Sequence, residues 1–118
     1  MTQALNLSDL RNLKAMIGGD PDDLAELVDD FVAALPDQIS QMRAQGACAD
    51  WVALRISAHS SKSNARDLGA AHLSELCAEL ESQCASGNVQ DLEAQMTKIS
   101  QSMDATLLNF AKLDLADV

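Results

Sequence analysis

The chain has 118 residues, enough for one domain spanning residues 1–118, and its 47% hydrophobic content argues against disorder. Its net charge of −10 weighs against nucleic acid and anionic membrane surfaces as partners, since both would repel it. Aromatics make up only 3% and tyrosine is absent, so there is little material for a sheet and an all-α fold is expected.

Apolar spacing predicts a short first helix over residues 8–17, with Leu10, Leu13, Met16 and Ile17 on one side and Gly18-Gly19 ending it. Asp20 is read as the cap of a second helix, with Pro21 at its first position. Asp22, Asp23 and Glu26 then face the positive end of its dipole, a capping arrangement and not a metal site. The stripe Leu24, Leu27, Val28, Phe31, Val32, Leu35, Ile39 and Met42 continues in phase past Pro36, which should kink the helix without ending it. Gly46 is expected to close it. A third helix over residues 51–68 begins after the cap Asp50 and stops at Gly69. The fourth, over 71–85, carries Leu73, Leu76, Cys77, Leu80 and Cys84, and Gly87-Asn88 turns the chain. The last, over 89–113, presents Leu92, Met96, Ile99, Met103, Leu107 and Phe110. With every connection short, the expectation is an antiparallel up-down-up-down four-helix bundle with a short extra N-terminal helix.

The start, Met1-Thr2-Gln3-Ala4-Leu5, shows no basic region followed by an apolar stretch, and no run approaches the ~20 residues of a membrane span. The three cysteines form no C-x-x-C pair; Cys77 and Cys84 read as small core residues in a reducing compartment. A cytoplasmic location and a monomer are expected. His72 has no partner at metal-ligand spacing and is read as structural, and Trp51 and Phe110 as packing residues.

Charge is spread over polar helix faces everywhere except in the third helix. On a wheel of about 100° per residue, Leu54, Ser57, Ala58, Ser61, Ala65 and Leu68 share a core side, and His59 falls nearly opposite. Arg55, Lys62, Ser63 and Arg66 lie at the spacings that share its face. Between Trp51 and Arg66 there are three cations and no acid, while the rest of the chain carries five cations against all 18 acids. A wet histidine in a cationic stripe suits nucleophilic chemistry on an anion. Its ring is a nucleophile near neutral pH, and the cations can hold phosphoryl oxygens by charge-assisted hydrogen bonds.

The stretch from Ala58-His59 through Lys62 to Leu68-Gly69-Ala70 resembles the signature of histidine-containing phosphotransfer (HPt) domains, A-H-x-L-K-G-S-S-x-x-L-G-A. Gly18-Gly19-Asp20 before the second helix, and Leu73, Leu76-Cys77 and Leu80-Glu81 after the motif, look similar too. The resemblance implies that His59 accepts a phosphoryl group, with Lys62 stabilising it. Arg55, Ser63, Arg66 and Gly69 are the neighbouring binding candidates. It also implies receiver domains of hybrid kinases and response regulators as partners, each bringing its own aspartate and Mg²⁺, so the chain itself needs no cofactor. Two positions depart from the pattern. Ser63 replaces the usual glycine beside the imidazole. Ser61 replaces an apolar residue, and its hydroxyl is expected to bond back to the Ser57 carbonyl. Glu81 is a candidate for orienting the ring.

Other function classes lack their parts. Without a glycine-rich nucleotide loop or an α/β region to hold ATP, the chain is not expected to be a kinase. No serine sits in a G-x-S-x-G turn. The alternative that survives is an HPt-like helical adaptor that binds receiver domains without phosphotransfer.

Overall fold

The computed structural model describes residues 4–118; Met1-Thr2-Gln3, read above for a leader, lies outside them. Five α-helices follow one another: α1 Leu7–Met16, α2 Pro21–Ala47, α3 Trp51–Asp67, α4 Ala71–Ser86 and α5 Leu92–Lys112. A single 3-10 turn, Leu115–Asp117, closes the chain, and no strand occurs among the described residues. α2 to α5 form the antiparallel four-helix bundle, each helix packing on its two neighbours and not across the diagonal. α1 lies against α2 and α3, and the terminal turn against α2. No helix among the described residues is long and apolar enough to cross a membrane.

The helix starts follow capping chemistry. Asn6, Asp20, Asp50 and Asp91 each accept a hydrogen bond from a backbone N–H in the first turn of their helix. The Asp91 cap explains why α5 starts at Leu92 and not at Val89. α2 runs unbroken through Pro36, as its in-phase stripe requires. Leu24, Val28, Phe31, Leu35, Ile39 and Met42 are buried along it, and Leu27 is exposed. Phe31 meets Phe110 of α5 edge-on with ring centroids 6.0 Å apart.

Gly46 does not close α2. It is buried inside the last turn, where an added Cβ would come within 2.6 Å of Leu92 Cδ2. The missing side chain lets α2 approach the start of α5. The left-handed residue after the helix is Ala49, at φ +54°, with Asp50 N–H donating back to the Gln45 carbonyl. Met16, expected on the core side of α1, is 83% exposed; only Leu10 of that helix is fully enclosed.

The closest-packed pair is α3 with α4. Their buried faces carry small residues, Ala58, Ser61 and Ala65 on one and Ser74 and Cys77 on the other, and small side chains bring helix axes together. Cys77 is fully enclosed, and burial pushes its thiol up to about 12, so it behaves as a packing residue.

Candidate functional site

α3 divides cleanly by face. Leu54, Ala58, Ser61, Ala65 and Leu68 are buried, and Val52, Arg55, Ile56, His59 and Ser60 are exposed. The ring of His59 is 59% exposed, so the helical wheel put it on the correct side. Ser57, expected inside, is half-buried.

A carboxylate from the next helix completes the site. Glu81 of α4 bridges the two α3 residues: its Oε2 lies 2.6 Å from His59 Nδ1, and its Oε1 accepts from Lys62 Nζ at 2.6 Å. The side chains of Glu81 and Lys62 are only 22% and 23% exposed, so this pair is screened from solvent more than the ring is. The Lys62 ammonium, with help from His59, holds the Glu81 carboxyl below the usual carboxylate range against the opposing effect of burial. An ionised carboxylate can only accept, so the Nδ1 of a neutral His59 carries the proton. Nε2 then holds the free lone pair, and it has no protein partner among the described residues.

Backbone contacts hold this constellation in register. Ser74 Oγ of α4 donates to the Lys62 carbonyl at 2.9 Å, fastening the two helices at the level of the lysine. Nothing in the local pattern of α3 signals this bond; it depends on the hairpin register that also delivers Glu81, 22 residues from His59.

The remaining sequence candidates separate. Arg55 lines the shallow cleft beside His59 together with Ile56, Ser60 and Glu81. Ser63 is half-buried, one turn beyond His59. Arg66 belongs to a different cleft, shared with Asp9, Asn12, Leu13, Met16 and Asp67, and its Nε lies 4.0 Å from Asp67 Oδ1. Gly69 is not on the exposed face at all. It is buried at the α3–α4 turn with φ +79°, where a Cβ would meet the Asn6 carbonyl oxygen at 2.6 Å, and its own carbonyl accepts from Asn6 N–H at 2.8 Å. Its work is to turn the chain and seat the segment leading into α1.

Ser61 also differs from expectation. Its hydroxyl points across the core to Met42 Sδ at 3.6 Å, and not back to Ser57. His72 is half-buried and takes no part in the site.

A closed helical bundle that holds a histidine on a wet face, with a lysine and a carboxylate from two helices around it, defines a histidine-presenting module. The chain belongs to the Hpt domain family, whose family model matches residues 26–108. It is similar to the crystal structure of histidine-containing phosphotransfer protein B (HptB) from Pseudomonas aeruginosa PAO1, with 25% identity over 95% of each chain and a TM-score of 0.84. No sequence among the curated proteins matches it.

Proposed function

We propose that the chain is a phosphoryl carrier of a two-component phosphorelay, with His59 passing the group between receiver-domain aspartates. The observation that carries this reading is the exposed ring held through Nδ1 by Glu81, which leaves Nε2 as the nucleophile. Membership of the Hpt family and the likeness to HptB support it.

The chemistry balances without a base on the chain. The Nε2 lone pair of neutral His59 attacks phosphorus in the receiver's aspartyl phosphate. The N–P bond forms as the P–O bond to the aspartyl carboxyl breaks, and the aspartate leaves as carboxylate. Nδ1 keeps its proton, and the positive charge gained by the ring is stabilised by the Glu81 carboxylate against it. Transfer onward is the reverse, onto a second aspartate. Receiver domains supply the aspartate and the Mg²⁺, and in-line positioning with charge neutralisation does most of the work. The chain carries the group and has no ATP-dependent kinase activity of its own.

Lys62 enters in two states. Before transfer its ammonium is bonded to Glu81. After transfer the phosphoryl oxygens compete for it, and an exchange of partners turns a half-buried ion pair into a phosphate clamp.

Incubation with a panel of phosphorylated receiver domains tests the reading. Label should appear on the wild-type chain in a bond labile to acid and stable to base, and be absent from His59→Gln. Receivers that bind the chain without ever transferring label would establish the adaptor instead.

A further inference from the structure

We propose that Ser74 is a positioning residue for transfer, whose cross-helix bond sets the α3–α4 register on which the reactive form of His59 depends. This rests on the carrier reading above and adds a group that acts on the nucleophile without touching it.

The site draws its parts from two helices. His59 and Lys62 come from α3 and Glu81 from α4, so their geometry depends on how α4 lies along α3. The buried faces of the pair carry small side chains, Ala58, Ser61 and Ala65 on α3 and Cys77 on α4. Packing of this kind holds helices together, but it is non-directional, and a smooth joint resists sliding only weakly. Register then falls to directional bonds. Among the described residues, three side-chain hydrogen bonds link α3 to α4. Two belong to Glu81 itself, and the third runs from Ser74 Oγ to the Lys62 carbonyl at 2.9 Å.

This third bond is placed to act as a pin. Ser74 is only 8% exposed, so water competes little for its hydroxyl. The hydroxyl also forgoes the local option open to it. Thr97 and Thr106 donate back to the carbonyl four residues earlier in their own helix, whereas Ser74 reaches across to α3. Ser74 and Glu81 stand about two turns apart on one face of α4. One fixes the helix and the other uses the placement.

Glu81 needs that placement at both oxygens. Each lies 2.6 Å from its partner, with little slack for a shift of α4. The partners tolerate a shift differently. Lys62 has a long flexible stem and can follow the carboxylate, but the imidazole stands on a single methylene and cannot. A slip therefore breaks the Nδ1 contact first. Released from the carboxylate, the neutral ring is free to carry its proton on Nε2, and that nitrogen then has no lone pair to attack phosphorus. Ser74 thus keeps the nucleophile in its reactive tautomer through the position of Glu81.

The test combines ¹⁵N NMR of the His59 ring, at a pH where it is neutral, with receiver-to-chain transfer by the full chain. Ser74→Ala removes the hydroxyl and Ser74→Thr keeps it. Ile99→Val is the control, a core change on α5, which does not pack on α3. Wild type should show the proton on Nδ1. Ser74→Ala should show a mixture of tautomers and transfer slowed about fivefold, and Ser74→Thr should restore both. Ile99→Val should melt at a lower temperature but keep the wild-type tautomer and rate. A folded Ser74→Ala with an unmixed Nδ1–H ring and the wild-type rate would overturn the proposal, as would an equal change in Ile99→Val. If no receiver labels the wild type, the carrier reading falls, and the tautomers alone still decide whether Ser74 sets the register.

Discussion

The two faces of α3 do separate jobs on one stretch of backbone. The inner face is built of Leu54, Ala58, Ser61, Ala65 and Leu68, none more than 8% exposed, and it anchors the helix in a core shared with the other helices. The outer face holds Arg55, Ile56, His59 and Ser60 in solvent, where they contribute little to folding. Burial removes an inner residue from chemistry, and exposure removes an outer one from the core. Lys62 and Ser63 sit on the border, half-buried, and Lys62 belongs to both: its stem is covered while its ammonium reaches Glu81. The lesson is that stability and transfer should respond to different substitutions on the same helix, except at that border.

The largest effect should come from the inner face. Leu54→Ala empties a site with no solvent access and should cost about 2–5 kcal/mol by chemical denaturation, while the fraction that stays folded still accepts label on His59. A negligible cost would erase the distinction between the faces. On the border, Lys62→Ala should leave a folded bundle but slow transfer by roughly tenfold, because it removes the phosphate-binding cation and also releases Glu81. Equal transfer rates for the variant and wild type would mean that the lysine serves only Glu81.

The smallest effect is a dependence of stability on pH. The folded-state carboxyl of Glu81 is lowered chiefly by its hydrogen bond from Lys62, with His59 adding to this. A lowered value stabilises the folded chain in full above the unfolded carboxylate range, and the gain is lost as pH falls through the folded value. The stability difference between wild type and Glu81→Gln should therefore shrink on acidification. A difference that stays constant through the acid range would detach Glu81 from the lysine.

Much of this division could be read from residue spacing, because helical periodicity reports directly on which side of α3 meets the core. The same logic placed α2 through Pro36 and put His59 in water. It failed where a contact comes from a distant part of the chain. Gly46 looked like a helix stop, but its small size answers to Leu92, 46 positions later. Gly69 looked like part of the binding motif, but it answers to Asn6. Arg55 and Arg66 are alike by spacing from His59. Arg66 has Asp67 beside it in the chain, and the packing of α1 beside α3 adds Asp9 to its cleft, which no local pattern contains. Glu81 could be suspected from its place in the fourth helix, yet its simultaneous hold on His59 and Lys62 depends on the register of the α3–α4 hairpin. Ser74, which fastens that register, had no signal at all.

The most direct test is to locate the phosphoryl group on the ring by long-range ¹⁵N and ³¹P NMR of the labelled chain. Binding of His59 through Nδ1 to Glu81 predicts phosphorus on Nε2, with the Nδ1 proton retained. Phosphorus on Nδ1 of His59, or on His72, would contradict it.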